Sequence, residues 1–430
     1  MEKYGEFVTK LRTELASFTS VPKKIWNEGA TKNVNGLAGE ELRRLISLDT
    51  RREYGAFFTD SLLGDKVLQH LKPAFNSKSI IYDSACGAGN LLISVSNYIY
   101  KKNIRFNTET QLLGTDLHQE FVEATQLRLI TNSLLKQDNH SSEIFKAQKN
   151  KKYSIVKGNG LLQNDFYQKA THIIVNPPFN QIVANEKLSW AKGKVSAAAL
   201  FIDKIIQNSN PGVCIIAILP DVLRSGSRYE KWRAMVEQEC IIEKTVLLGQ
   251  FDKYADVDVY AIKLTKRDIP IAKNNTKPKP CIAGSEKITH VTIKDLFDVS
   301  VGTVVDNRDP KKGPAFSYVI SRGLKGWLVQ KEIELKRKHL GKSIDSPFVV
   351  IKRTSRMGDN QRAIATVINI PNSAYVDNHL IVLKPKSGTL KDCLKALAIL
   401  KKNKTNCWLN EKIRCRHLTV KVVSDIPFAY

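Results

Sequence analysis

The chain has 430 residues, of which 42% are hydrophobic and 25% charged, and it carries a formal net charge of +25 with a pI near 9.6. Such proportions are those of a globular protein with a sizeable core, so global disorder is excluded, and no apolar run approaches the ~20 residues a membrane span needs. A positive field of this size calls for a polyanionic partner, most simply nucleic acid.

The field is uneven. Residues 265–430 hold 32 Lys and Arg against 14 Asp and Glu, so the C-terminal part carries most of the excess. That distribution suits a nucleic-acid-holding part attached to a more neutral catalytic part. The seven cysteines are scattered with no CxxC pair, which fits a reducing cytosol better than a disulfide framework. The start, MEKYGEFVTKLRTEL, is too charged for a signal peptide.

In chain order, residues 2–50 read as helices broken near Pro22 and Gly36, with Leu42, Leu45, Ile46 and Leu48 close to helical spacing. Residues 62–75 read as another helix, ended around Pro73. Short apolar runs then alternate with helical stretches. The predicted strands are SIIYDSA (79–85), LLGTD (112–116), YSIVKGN, THIIVNPPF, VCIIAILP, EKTVLLGQF and VDVYAIKLTK. Helical patterns such as HQEFVEATQLRLITNSLL fall between them, which predicts crossover units and a mostly parallel sheet. The stretch IPIAKNNTKPKP reads as a linker, and a last helix is predicted over 390–402. The organisation expected is a helical segment over 1–50, a catalytic domain over 51–266 and a basic domain over 267–430.

Two motifs carry chemistry. Asp83-Ser84-Ala85-Cys86-Gly87-Ala88-Gly89-Asn90 lies at a strand-to-helix junction. Glycines there admit close backbone approach to a ligand, and the helix start offers free N–H groups. Asp116 ends the next strand, where an acid can bond a ribose diol. Alone, such a turn fits many nucleotide binders.

The second motif is Asn176-Pro177-Pro178-Phe179, directly after the apolar run HIIV. Two prolines fix φ and remove two N–H donors, leaving a stiff shelf with a carboxamide, carbonyls and an aromatic face. That shelf suits a planar substrate bearing an amino group. The Asn176 amide oxygen and the Pro177 carbonyl would accept its two hydrogens, and Phe179 would stack on the ring.

The run Gly55-Ala56-Phe57-Phe58-Thr59, then DSACGAGNLL, GTD and NPPF, resembles the N6-adenine-specific DNA methyltransferases of restriction-modification systems in the gamma motif order. SPFVVIKRTSR, YVDNHLIVLKP and RHLTVKVVSDIPF resemble target-recognition segments of related methylases. The resemblance implies an α/β fold: a Rossmann-like seven-stranded, mostly parallel sheet with flanking helices, plus a C-terminal α+β target-recognition domain. It implies S-adenosyl-L-methionine as cofactor, with Thr59 at its methionine end. Asp83, Ala85, Cys86, Gly87, Gly89 and Asn90 would line its pocket, and Asp116 would hold its ribose. Asn159 stands where the family usually has an Asp facing the cofactor adenine, and Asp60 where a Pro is common. Phe251 resembles the second aromatic that contacts the flipped base, with Tyr254 nearby.

Under this reading an adenine is flipped from duplex DNA at a cost of a few kcal/mol, offset by stacking and amino-group bonds. Accepting both amino hydrogens aims the nitrogen lone pair at the methyl for an in-line displacement, which needs positioning more than a strong base. Lys352, Arg353 and Arg356 form one basic cluster, and Arg414 and Arg416 another, for phosphates and base edges. The Cys and His spacing offers no metal site. Double-stranded DNA is the expected partner, with a cognate restriction endonuclease or specificity subunit beside it, and the location expected is the cytoplasm, for a prokaryotic or phage-encoded chain. The competing readings are methylation of RNA or of a protein glutamine, and a modification subunit inactive without a specificity partner.

Overall fold

The computed structural model describes residues 2–59, 61–184, 188–251, 257–270, 291–355, 359–413 and 417–428. The chain divides into two compact units, one of residues 1–223 and 231–282, the other of residues 224–230 and 283–430.

The first unit is built on strands β1 (Ile81–Asp83), β2 (Leu112–Asp116), β3 (Ser154–Lys157), β4 (His172–Val175), a small hairpin β5 (Gln181–Val183) and β6 (Lys194–Ser196), then β7 (Cys214–Pro220), β8 (Cys240–Gln250) and β9 (Asp258–Lys266). Seven of them form one sheet in the order β3-β2-β1-β4-β7-β9-β8. All neighbours are parallel except β9, which runs antiparallel to β7 and to β8. The seven-stranded, mostly parallel α/β sheet expected from the alternating pattern is therefore present. Every residue of β1 and β4 is buried, because helices cover both faces of a parallel sheet.

The chain leaves β1 toward β2 on one side, and β4 joins β1 on the other. Such a reversal opens a crevice at the carboxyl ends of the strands. The glycine turn follows β1 and the Asn176 shelf follows β4, so two motifs 93 positions apart in the chain (Asp83 to Asn176) meet at that crevice.

The N-terminal helices belong to this unit. Tyr4, Phe7, Leu11 and Leu42 pack with Ala88, Phe121 and Ala124, and Trp26, Ala30 and Val34 join the main core. The predicted helix over 62–75 is observed as Ser61–Leu71. The hairpin β5–β6 after the shelf carries no signal in the sequence.

The second unit holds β10 (Phe297–Val301), β11 (Ala315–Val319), β12 (Val329–Gln330), β13 (Lys336–Lys338), β14 (Phe348–Lys352), β15 (Ala365–Ile368), β16 (Ala374–Val376) and β17 (Leu380–Pro385). A five-stranded sheet, β10-β17-β14-β15-β12, lies beside a three-stranded one, β13-β11-β16. Alternate residues of the larger sheet face opposite ways. Val349, Ile351, Ile381 and Leu383 pack under Ala396 and Leu400 of the helix Leu390–Lys401. Phe348, Val350, Leu380 and Val382 pack with Val319 and Val376 of the smaller sheet. The linker IPIAKNNTKPKP lies outside the described residues from Ile271 onward.

Candidate active site

The turn after β1 is shaped by two left-handed glycines, Gly87 at φ +53° and Gly89 at φ +82°. A side chain on either would collide: a Cβ at Gly87 would lie 2.7 Å from the Phe58 ring, and one at Gly89 would lie 2.7 Å from Thr125. Glycine is thus required both for the backbone and for close packing of its neighbours. The Thr125 hydroxyl donates to the Gly87 carbonyl at 2.8 Å, and the Cys86 amide to the Thr115 carbonyl at 3.0 Å. Cys86 is buried against this turn, and burial pushes its thiol well up.

Arg128, fully buried on the helix Gln119–Leu134, braces the turn from behind. Its guanidinium donates to the carbonyls of Asn33 and Val34 at 2.8 Å each, to the Ala88 carbonyl, and to Asn90 Oδ1 at 2.6 Å. Asn90 in turn donates from Nδ2 to the Thr59 carbonyl at 2.5 Å. One cation therefore ties the N-terminal helices, the glycine turn and the segment containing Thr59. Nothing in the run FVEATQLRLI marks this arginine; it reads as a solvated helix residue.

Asp83 is 1% exposed and accepts the Ala85 amide at 3.0 Å. Burial, with Asp116 nearby, pushes its carboxyl up to about 8. Asp116 accepts the Gly87 amide at 2.9 Å on one oxygen and the His118 amide at 3.0 Å on the other. Burial raises it to about 6, against the pull of those amides. Asn159 is exposed, and its side chain accepts the Leu161 amide at 3.0 Å as a helix cap. Its neighbour Gly158 donates to the Asp116 carbonyl at 2.8 Å, which brings the loops after β2 and β3 together. Leu117 and Leu162, 58% and 69% exposed, leave two apolar side chains on those two loops. Sequence reasoning missed both; an apolar residue directly after the strand-ending acid was the available signal.

At the shelf, Asn176 donates from Nδ2 to the Thr59 hydroxyl at 2.9 Å and toward the Phe57 carbonyl at 3.4 Å. A backbone carbonyl only accepts, so the atom facing Phe57 is the amide nitrogen. The Asn176 Oδ1 is then left buried and without a partner. Pro177 is buried, while Pro178 and Phe179 are half-buried. Gly55, at φ +64°, lies so close to Pro178 that a Cβ there would sit 2.3 Å from the proline Cβ. Asn180 adds a bond from Nδ2 to the Glu53 carbonyl at 2.9 Å. The GAFFT segment and the NPPF shelf are thus docked face to face. Phe179 meets Phe251, at the end of β8, edge to face with ring centroids 5.3 Å apart. Asp60 and Tyr254 lie outside the described residues.

In the second unit, Lys352 and Arg353 are half-buried at the end of β14. The Arg353 amide donates to the His379 carbonyl at 3.1 Å, and its guanidinium reaches toward the Asn378 carbonyl at 3.5 Å. Arg356, Arg414 and Arg416 lie outside the described residues. The segments next to both clusters pair with each other through a Thr354–His417 bridge and a bond from the Leu418 amide to the Arg353 carbonyl at 2.8 Å. Among the described residues, no group of three or more His, Cys, Asp and Glu is placed to hold a metal ion, and no helix is long and apolar enough to cross a membrane.

A glycine turn after β1, an acid closing β2 and an Asn-Pro-Pro-Phe shelf after β4, on a sheet with one antiparallel internal strand, define a methyltransferase-type catalytic unit. The chain belongs to the N-6 DNA Methylase family, whose profile matches residues 36–266. A comparison with curated proteins finds no match. Among solved structures, the type IIL restriction-modification enzyme MmeI, determined in complex with DNA, is similar at 13% identity and a TM-score of 0.57, over 91% of this chain and 70% of that one. The type IIG restriction endonuclease BpuSI is similar at 13% identity and a TM-score of 0.47, over 90% of this chain and 61% of that one. A class I S-adenosylmethionine-dependent methyltransferase from Listeria monocytogenes is similar at 17% identity and a TM-score of 0.39, over 54% of this chain and 70% of that one.

Proposed function

We propose that this DNA methyltransferase transfers a methyl group from S-adenosylmethionine to N6 of an adenine flipped out of duplex DNA. The reading is carried by one observation: Asn176 Oδ1 is buried without a partner while its amide nitrogen is held by Thr59 and Phe57. An unsatisfied buried acceptor costs about 1–3 kcal/mol, which an incoming N–H donor recovers.

The residues present fit the cofactor. A carboxylate has about four acceptor sites, so Asp116, with two taken by amides, retains capacity for a ribose diol. Leu117 and Leu162 offer apolar surface for an adenine face. Thr59, Asp83, Ala85, Cys86, Gly87, Gly89, Asn90 and Asn159 complete the proposed pocket. When bound, S-adenosylmethionine supplies an electrophilic methyl on a sulfonium.

The protein's own part is positioning. Asn176 Oδ1 and the Pro177 carbonyl accept the amino hydrogens and turn the nitrogen lone pair outward. Pro178 keeps the ledge stiff, and the Phe179–Phe251 corner receives the purine ring. Residues 51–266 form the catalytic domain in this reading and residues 267–430 the target-recognition domain. Lys352, Arg353, Arg356, Arg414 and Arg416 contact DNA, in a restriction-modification setting where an endonuclease or specificity subunit can accompany the chain.

The test is methyl transfer from labelled cofactor to duplex DNA, RNA and protein in parallel, with the modified base identified by mass spectrometry. Incorporation as N6-methyladenine in DNA is expected, and Asn176→Ala should lower kcat by about 10²–10³, the scale for losing one preorganised polar contact. Transfer to RNA or protein alone, or DNA binding with no transfer, sinks the reading.

A further inference from the structure

A half-open cavity of about 230 Å³ lies in the first unit, at the end of the large sheet opposite the glycine turn and the shelf. Its walls come from the last turns of the helices Asn90–Lys101 and Gln119–Leu134, from the helix Ser142–Lys149, and from the segments that lead into β2 and β3. Phe106 and Thr108 precede β2, and Tyr153 precedes β3, whereas the catalytic motifs follow β1, β2 and β4. The methyl-transfer chemistry uses none of these residues.

Part of the lining is apolar: Ile99, Ile104, Phe106, Leu129 and the Tyr153 ring. The rest is polar and carries a cation. Lys136 Nζ donates to the Ser96 carbonyl at 3.2 Å and to the Ser96 hydroxyl at 2.9 Å, and lies over the Tyr100 ring, 5.1 Å from its centroid. An ammonium has three N–H donors, so one is left over. Among the described residues no carboxylate pairs with Lys136, and burial, with no opposite charge to offset it, pushes its amine down to about 8. Lys151, the other cation of the lining, is already paired with Glu109 at 3.1 Å. The Ser133 hydroxyl donates to Gln148 Oε1 at 2.7 Å, which leaves the Gln148 amide nitrogen as a further donor. The cavity thus holds one uncompensated positive charge beside apolar walls. A desolvated charge without a partner is unfavourable, and an anion placed against it removes that cost. A single available charge matches a monoanion better than a phosphate dianion. An apolar cavity of roughly 150 Å³ accommodates benzene, so this one has room for a ring and a carboxylate.

We propose that this cavity is a second ligand site, which binds a small aromatic monocarboxylate with its carboxylate on Lys136 and its ring against Ile99, Phe106 and Leu129. The two helices that wall the site also carry Asn90, Thr125 and Arg128 at the glycine turn. Occupancy therefore stabilises the folded catalytic unit by linkage.

The experiment titrates phenylacetate and benzoate into the full chain by calorimetry and follows the thermal midpoint at each concentration. Saturable one-to-one binding is expected, with a midpoint that climbs as ligand is added. Lys136→Met should weaken binding roughly ten- to a hundredfold, the scale of a charge-assisted contact. Its ligand-free midpoint should equal or exceed that of wild type, because an unpaired desolvated charge has gone. Lys152→Met, an exposed neighbour outside the cavity, should bind as wild type does. A comparison on the wild-type chain needs no variant: phenylethanol, with the same ring and no charge, should bind roughly tenfold or more weakly than phenylacetate. Equal affinity in Lys136→Met and wild type overturns the proposal. So does acetate or inorganic phosphate binding as tightly as phenylacetate at equal ionic strength, which marks a site for any anion, and so does phenylethanol binding as tightly, which marks an apolar void. Failure of both aromatic acids to bind the wild-type chain overturns it as well.

Discussion

The amide nitrogen of Asn176, at the end of β4, donates to the hydroxyl of Thr59, 117 positions earlier, at 2.9 Å. Two chain segments remote in sequence thus orient one carboxamide. Thr59→Val removes the acceptor with little change of shape. A neutral hydrogen bond contributes about 1 kcal/mol net, so kcat at saturating cofactor and DNA should fall roughly five- to tenfold. Thr59→Ser should recover most of it. Steady-state kinetics on both variants decide the matter, and a Val variant with wild-type kcat would show that the bond orients nothing of consequence.

Gly55 supports the same shelf from below. Its φ of +64° costs an L-residue roughly 1–2 kcal/mol, and a Cβ would overlap Pro178. Gly55→Ala should therefore shift the shelf and depress kcat while cofactor affinity, measured by calorimetry, stays near wild type. Equal loss in both would place the damage in the fold as a whole.

Arg128 should be the costliest single loss in the catalytic unit. Burial pulls its guanidinium down to about 10, so it remains charged at neutral pH, and it satisfies four oxygens. Arg128→Met strands those acceptors, at about 1–3 kcal/mol for each one left buried. Urea unfolding should show the midpoint falling without a change in slope. Asn90→Ala, which cuts only the link toward Thr59, should cost less stability than Arg128→Met and still lower kcat.

Asp83 predicts a pH signature. Its folded-state carboxyl is raised to about 8 by burial, against an ordinary value of 3.8 in the unfolded chain. Between those values the folded state holds a proton that the unfolded state has lost. Stability from this group is thus fully present below the lower value and falls as pH rises toward the upper one. Asp116, raised to about 6, acts in the same direction over a narrower window. Thermal midpoints of wild type and Asp83→Asn across that window should converge at its acidic end, and the variant should decline less toward its alkaline end. Parallel curves would refute the assignment.

Much of the catalytic unit was legible in the sequence because its signals are local. Alternating apolar runs and helical periods are a direct consequence of burying a parallel sheet between helices, and they located all seven strands of the large sheet. The glycines of the turn and the prolines of the shelf are backbone requirements, visible wherever φ is constrained. The structure also brings Phe251 onto Phe179. Less of the second unit was legible. Its two sheets are made of short strands whose pairing is set by long-range contacts, and the hairpin β5–β6 likewise lacks a turn signal.

What the sequence determined by itself was the chemistry available: which residue types stand at the ends of which strands. What only the tertiary structure decided was which atoms remain free. Arg128 looks like a surface charge until packing buries it among four oxygens, and Asn176 looks like any shelf amide until Thr59 and Phe57 take its nitrogen and leave its oxygen unpartnered. The physical reason is that hydrogen-bond satisfaction belongs to groups brought together across the chain, whereas periodicity and backbone constraint are carried by neighbours along it.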